Sequence, residues 1–128
     1  MSKALFLDTF NNHILEFIND ILVLYPNDTD IISSKRYLGT LTFVNKTYLI
    51  KTWYVSSNKF KDAIQDGNIS FFLNRKYDDD INKAYNKDYS DYLIKRVKEI
   101  VKELESDNLQ KAIKYIQNLT KLSCLYME

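Results

Sequence analysis

The stretch that decides the fold is residues 8–26, which read DTFNNHILEFINDILVLYP. Its apolar side chains recur at the three-and-four spacing of an α-helix and form one stripe, made up of Phe10, Ile14, Phe17, Ile18, Ile21 and Tyr25. Asp8 is the predicted N-cap, because its carboxylate can accept hydrogen bonds from free backbone N–H groups of the first turn. Pro26 cannot continue a helix, so we predict that the helix ends at Tyr25 and that residues 1–7 form a short arm before it.

The composition favours a single folded domain over residues 1–128. The chain has 128 residues, of which 45% are hydrophobic and 14% aromatic. This is enough to build a hydrophobic core without disulfides or a structural metal. Its 18 basic and 17 acidic residues nearly cancel, which argues against a dominant electrostatic attraction to nucleic acid. The single cysteine excludes an internal disulfide. No signal-like or membrane-length apolar run is visible, so we predict an intracellular protein that does not contact membranes.

Further helices are predicted to cover the first one. Residues 29–43 show a helical stripe made up of Ile31, Ser34, Leu38 and Leu41, widened by Tyr37 and Val44. Gly39 lies inside this helix and indicates either a close approach of another helix or a break. Residues 40–44 have strand propensity, so a short strand there is the alternative. The next helix is predicted over residues 46–66, with Asn45 as its N-cap, Gly67 at its C-terminal end and a weak polar middle at residues 56–58 where it could kink or split.

The second half of the chain continues the helical pattern. Residues 68–73 are predicted as one or two helical turns docking into the core, and residues 74–87 as a surface loop. Two more helices are predicted over residues 88–105 and 108–122, joined by a turn short enough to make them an antiparallel hairpin. The predicted fold class is therefore all-α, a compact bundle of about five to six helices.

Side chains that could take part in catalysis or metal binding are few and scattered. His13 is the only histidine and Cys124 the only cysteine, and neither has a sequence neighbour that would complete a catalytic pair or a metal site. The acidic run at residues 78–80 lacks the ligand spacing of a calcium loop. Glu16 and Asp20 share a helix face, but no second acidic pair completes a di-metal site. With no Gly-rich phosphate loop either, we predict no enzyme activity, no metal, no cofactor and no small-molecule substrate.

Two surfaces are candidates for binding macromolecules. Aromatic side chains often anchor protein partners, and the candidates for that role are Trp53, Tyr54, Phe71 and Phe72. A polar face of the last helix would suit phosphate contacts with an interleaved aromatic ring, and it consists of Lys111, Lys114, Tyr115, Asn118 and Lys121. The ordinary alternatives are a core position for Trp53 and a solvated lysine face.

Several segments together carry a resemblance to a known group of proteins. They are FNNHILEFIND at residues 10–20, YPND at 25–28, LIKTWY at 49–54, ISFF at 69–72 and KYIQNL at 114–119. In these segments the chain resembles small uncharacterised helical proteins of large nucleocytoplasmic DNA viruses. The resemblance implies a viral origin and an infected-cell or virion setting, and it assigns no functional residue. The abundant Lys, Asn, Ile and Tyr are typical of an A/T-rich genome.

The resulting expectation is a non-enzymatic interaction or scaffold protein of a large DNA virus, either virion-associated or acting in the viral factory. Its expected location is the host cytoplasm or the viral factory, with the virion as a further candidate. Its partner would be another protein or a second copy of the chain. The alternative is a nucleic-acid-binding accessory protein that uses the lysine and tyrosine face of the last helix.

Overall fold

The computed structural model describes residues 2–68 and 99–128, and these residues form helices and short connections without a strand. The elements are α1 (Lys3–Leu24), α2 (Thr29–Val44), α3 (Tyr48–Ser57), a 3-10 turn (Asn58–Phe60), α4 (Lys61–Gln65) and α5 (Ser106–Met127). Residues 99–103, where the second described range begins, are also helical. The all-α prediction is confirmed, and the alternative of a strand at residues 40–44 is wrong.

Helix α1 begins earlier than the sequence pattern predicted. Ser2 is the N-cap, and its hydroxyl oxygen accepts a hydrogen bond from the Leu5 N–H at 3.2 Å. The predicted cap, Asp8, lies inside the helix and is exposed. The predicted arm is therefore wrong from Lys3 onward, because residues 3–7 are good helix formers behind a suitable cap. The predicted end is confirmed, since Tyr25 is the C-cap and Pro26 follows it.

Helix α2 follows the prediction at both ends. The Asp28 carboxylate caps it by accepting hydrogen bonds from the N–H groups of Asp30, at 2.9 Å, and Ile31, at 3.2 Å. The helix runs through Gly39 without a break. A Cβ built at Gly39 would meet none of the described atoms within 4 Å, so the close approach of another helix, one of the two predicted reasons for this glycine, is not found within residues 2–68 and 99–128. Val44, which was expected to widen the buried stripe, is exposed.

The third predicted helix splits where its middle is polar. Helix α3 ends at Ser57, a 3-10 turn follows, and α4 begins at Lys61. Gly67 has a φ of 84° and closes α4 in the left-handed conformation that glycine adopts at helix ends. Asn45 was predicted to cap α3, and this prediction is wrong. Asn45 instead ends α2 by donating its backbone N–H to the Leu41 carbonyl. The N-cap of α3 is Thr47, which makes no side-chain capping bond.

Helix α5 is longer than predicted, because it begins at Ser106 and continues to Met127. The helix is confirmed over its predicted range, and its inward side carries the buried residues Ala112, Ile116 and Leu119. Three predictions fall largely or wholly outside the described residues: the docking turns at 68–73, the loop at 74–87, and the helix at 88–105 with its hairpin. Phe71, Phe72 and the acidic run at 78–80 lie outside them as well.

The helices pack in antiparallel pairs around α1 and α5. The Lys3 Nζ atom at the start of α1 lies 5.8 Å from the ring centroid of Tyr126 near the end of α5. Asp20, near the end of α1, contacts Tyr115, which lies nearer the start of α5. Helix α5 also contacts α3 and α4, and α2 packs against α1. The shared core contains Phe10, Phe17, Ile18, Ile21, Ile31, Ile50, Ile64, Ile100, Val101, Ala112, Ile116 and Leu119. The α1 stripe is thus buried mainly within a single chain.

The open space at Gly39 gives a stability prediction. Replacing Gly39 with Ala should raise the free energy of unfolding by about 0.5–1 kcal/mol, because glycine in a helix interior costs that much relative to alanine. The added methyl group meets no atom of the described part of the chain within 4 Å. Urea denaturation of both proteins measures the change. A destabilised Gly39→Ala variant would mean that α2 is not a continuous helix at this position.

Candidate interaction surface

One side of α2 faces away from the core and carries an exposed groove. The groove has a volume of about 890 Å³ and is lined by Leu22, Ile32, Lys35, Arg36, Gly39, Thr40 and Phe43. Its α2 members recur at three-and-four spacing and therefore form one helical stripe, which we call the α2 stripe: Ile32, Lys35, Arg36, Gly39, Thr40 and Phe43. The buried residues of α2, Ile31 and Ser34, lie on another side of the helix. Helix α2 thus places apolar residues on both its inner and its outer side.

Phe43 is the most unusual residue of the α2 stripe, because 84% of its surface is exposed. Single exposed apolar residues are common on monomers. Here, however, the ring belongs to the same stripe as the half-buried Ile32, and the half-buried Leu22 of α1 lines the same groove. Apolar surface of this kind, bordered by polar groups, is typical of protein interaction sites.

The charge of the α2 stripe is entirely positive. Lys35 donates a hydrogen bond to the neutral Asn19 side chain at 2.9 Å, so that contact leaves its charge uncompensated. The Arg36 guanidinium forms no ion pair with a described carboxylate. The only acidic residue within α2 is Asp30, in its first turn and outside the stripe. The groove therefore combines apolar surface with two cations.

The polar face predicted on α5 is only partly preserved in the structure. Lys111, Lys114, Asn118 and Lys121 are exposed along the helix. Tyr115 instead turns toward α1, where its ring stacks on Phe17 with centroids 4.9 Å apart and an interplanar angle of 12°. The lysines can still meet phosphates, but Tyr115 is occupied within the fold and is poorly placed to stack on a base.

Tyr115 is also held by hydrogen bonding. Its hydroxyl donates to the Asp20 carboxylate at 2.5 Å, and its ring lies 4.7 Å from that of His13. Burial, together with the hydrogen bond to Asp20, raises the pKa of Tyr115 to about 12, because both disfavour the phenolate. This cluster joins α1 to α5 and is a structural contact of the fold.

The raised pKa of Tyr115 gives a pH prediction. A phenol that is harder to ionise when folded stabilises the fold fully below its unfolded pKa of 10.0, and this stabilisation is lost as the pH rises through about 12. The Tyr115→Phe variant should thus be less stable than the wild type by a constant amount below pH 10, and the difference should shrink toward pH 12. Unfolding curves across this range measure it, and absorbance titration should show that the variant lacks a phenol that ionises at about pH 12.

Asp20→Asn is the matched control for Tyr115→Phe. It keeps the ring and its burial but removes the carboxylate, so the pKa of Tyr115 should fall only part of the way toward its ordinary value. A stability difference between Tyr115→Phe and wild type that is the same at every pH would contradict the assigned role of this hydrogen bond.

The two described aromatic residues predicted as partner anchors are both engaged within the chain. Trp53 is half-buried, packs edge-on against Phe10 with centroids 6.3 Å apart, and donates its indole N–H to the Thr120 hydroxyl at 3.0 Å. The Tyr54 hydroxyl donates to the Glu128 carboxylate at 3.1 Å, and this bond raises the pKa of Tyr54. Because part of the Trp53 ring is covered by these contacts, only the remaining part of its surface is accessible to a protein partner.

A second recess lies between the end of α1 and the start of α5. It has a volume of about 200 Å³ and is lined by Phe17, Asp20, Ile21, Val23, Leu24, Leu104, Asn108, Lys111, Ala112 and Tyr115. This is below the range of roughly 300–1,000 Å³ that small-molecule sites usually show. Its central polar contact, between Asp20 and Tyr115, already serves the α1–α5 packing.

The remaining reactive side chains do not converge on one place. The Nδ1 atom of His13 lies 3.8 Å from the Glu16 carboxylate, and its buried Nε2 atom has no hydrogen-bond partner. Burial raises the pKa of the Cys124 thiol, which keeps it protonated and weakly nucleophilic at neutral pH. Within residues 2–68 and 99–128, no group of three or more His, Cys, Asp or Glu side chains could hold a metal ion.

The α2 stripe was missed by the sequence analysis, although a signal for it exists. Ile32, Arg36, Gly39 and Phe43 are spaced by four, three and four residues, which marks a second helical side. The inner stripe of α2 was assigned first, and Phe43 was attributed to the strand alternative. Gly39 alone gave a hint of this side, since it predicted either a close approach of another helix or a break.

Comparison of the chain with protein-family models, with curated protein sequences and with solved structures finds no match. The family resemblance thus stays a prediction. None of the helices in the described part of the chain has the length and apolar character required to cross a membrane.

Proposed function

We propose that the chain is a non-enzymatic interaction or scaffold protein of a large DNA virus, either virion-associated or acting in the viral factory. The observation that carries the proposal is the exposed α2 stripe, with Phe43 84% exposed beside two cations on the outer side of a helix whose inner side already packs in the core. Exposed apolar surface on a well-folded helix is the feature that a binding protein needs and that a purely structural helix does not. The viral setting rests on the resemblance of the segments described above.

Affinity purification from infected cells, combined with proteomics of purified virions, tests this function. The full chain is compared with Phe43→Ser and with Val55→Ser, a matched control because Val55 is an exposed apolar residue on α3. We expect one or a few partners that are retained by Val55→Ser and lost with Phe43→Ser. A partner-free chain in infected cells that is also absent from virions would overturn the proposal.

A nucleic-acid-binding accessory role is the second candidate, supported by the exposed row of Lys111, Lys114 and Lys121 on α5. If the three lysines neutralise phosphates, the logarithm of the affinity for DNA or RNA should fall linearly with the logarithm of salt concentration, with a slope of about 0.9 per contact on duplex DNA. The variant with all three lysines changed to Gln should show a shallower slope, whereas Lys51→Gln on α3 should not. Absence of binding at low salt would exclude this role.

A further inference from the structure

Gly39 has no explanation within residues 2–68 and 99–128. Glycine weakens a helix interior, and its usual justification is the close approach of another backbone or a ligand. Among the described residues no such neighbour is present, since a Cβ at Gly39 would meet none of their atoms within 4 Å, and its φ is not in the left-handed region. The missing side chain leaves a gap in the middle of the α2 stripe, with Ile32 and Phe43 on either side along the helix.

The spacing of the α2 stripe matches a helix–helix seam. From Ile32 to Phe43 the stripe covers three turns, about 16 Å at 1.5 Å per residue. Apolar residues at its two ends and a glycine between them allow a second helix to lie across α2 and approach its backbone closely at Gly39. Recognition of amphipathic helices by apolar grooves uses anchors at this three-and-four spacing.

The positive charge of the α2 stripe indicates which residues should lie beside the apolar seam of the second helix. Lys35 and Arg36 lie beside the apolar positions, and no acidic residue lies within the stripe. Opposite charges across an interface accelerate association and suppress wrong partners, whereas like charges are unfavourable. A partner helix that lies along Ile32, Gly39 and Phe43 is therefore complementary when it carries Asp or Glu beside its apolar seam.

Two other occupants fit the stripe less well. A twofold copy of the chain would present the same surface from both sides, which brings two cations from each copy into one seam without an acid from either stripe. An anionic membrane surface would favour a broad, protruding apolar face with many cations, but the stripe has a gap at Gly39 and only two cations.

We propose that the α2 stripe binds an acidic amphipathic helix of a protein partner, whose apolar seam packs over Gly39 and whose acidic flank pairs with Lys35 and Arg36. This inference rests on the proposed function as an interaction protein and specifies the class of its partner. Phe43 is the apolar anchor at one end of the site, and Ile32 with Leu22 forms the other end.

A displayed library of amphipathic helical peptides, with the residues flanking the apolar seam randomised, tests the inference on the full chain. We expect the enriched peptides to carry an excess of Asp and Glu at the flanking positions. Binding of an enriched synthetic peptide should weaken about tenfold or more with Phe43→Ser or Gly39→Leu, the loss typical of hot-spot changes, and should be unchanged with Val55→Ser. Circular dichroism confirms that each variant is folded.

Charge exchange provides a second, independent readout. The double variant Lys35→Glu with Arg36→Glu should lose the acidic peptide and gain a peptide in which the acidic residues are replaced by Lys. Enriched peptides without an acidic bias, or binding that ignores the stripe variants, would overturn the inference. So would self-association that Phe43→Ser abolishes, or Phe43-dependent binding to vesicles of anionic phospholipid, because each identifies a different occupant.

The outcomes separate this inference from the proposed function. If infected-cell partners depend on Phe43 but the library shows no acidic preference, the partner class is wrong and the interaction role stands. If the chain captures no partner in infected cells and the library gives no stripe-dependent peptide, both fail.

Discussion

Phe10→Ala is expected to lower the free energy of unfolding by about 3–5 kcal/mol, the range observed when a fully buried phenylalanine is truncated. Phe10 has no exposed surface and packs edge-on against Trp53, so it joins α1 to α3. Because α1 also packs along α5, the cavity left by the missing ring would lie at the centre of the bundle. Close-packed interiors refill such cavities only in part. Urea denaturation monitored by circular dichroism measures the loss.

Phe43→Ala is the matched control for this prediction, since it removes the same ring from a position that is 84% exposed. Its effect on the free energy of unfolding should stay within about 0.5 kcal/mol. A loss below about 1 kcal/mol for Phe10→Ala would show that the α1 stripe is not buried within one chain. If Phe43→Ala lowers the free energy of unfolding as much as expected for Phe10→Ala, α2 presents its outer stripe to the core. That result would remove the basis for the proposed partner site.

The sequence predicted those parts of the fold that depend on periodicity and on strong end signals. The stripe of Phe10, Phe17 and Ile21 is buried as expected, and Pro26 and Gly67 mark helix ends. These features are local: a helix needs an apolar side, and proline or glycine acts on its own backbone. The polar residues 56–58 likewise indicated where the third helix divides.

The helix starts were predicted less well, because several residues compete for each one. Ser2 and Asp8 are both good caps, and the choice between them depends on whether residues 3–7 gain enough from being helical. Asn45 and Thr47 compete in the same way. There the turn is fixed by a distant residue, since the buried Asn11 side chain donates to the Lys46 carbonyl at 3.0 Å. Sequence spacing alone contains no information about such a contact.

The candidate site was hidden for a related reason. The inner and outer stripes of α2 both contain apolar residues, and only the position of α2 in the bundle decides which one packs inward. Trp53 shows the converse, because a residue type common in binding sites is engaged inside the chain. The orientation of Tyr115 also depends on a partner on another helix, Phe17, so the predicted lysine and tyrosine face divides into exposed lysines and an inward-facing ring.

Thr120→Val is expected to lower the free energy of unfolding by about 1–3 kcal/mol, the cost of leaving a buried polar group without its partner. The Thr120 hydroxyl is buried, donates to the Ile116 carbonyl at 2.8 Å and accepts the Trp53 indole N–H at 3.0 Å. Valine fills nearly the same volume but cannot accept a hydrogen bond, so the indole N–H between α3 and α5 loses its partner. Thr120→Ser keeps the hydroxyl and should cost only about 0.8 kcal/mol for the lost methyl group.

A double-mutant cycle with Trp53→Phe distinguishes the lost hydrogen bond from altered packing. In the Trp53→Phe background no indole N–H remains to be left unpaired, so Thr120→Val should cost much less than it does in the wild type. We expect a coupling energy of about 0.5–3 kcal/mol, the range for residues in direct contact. A coupling energy near zero would mean that Trp53 does not bond to Thr120. In that case packing alone would hold α3 against α5 at this point, and the predicted cost of Thr120→Val would be wrong.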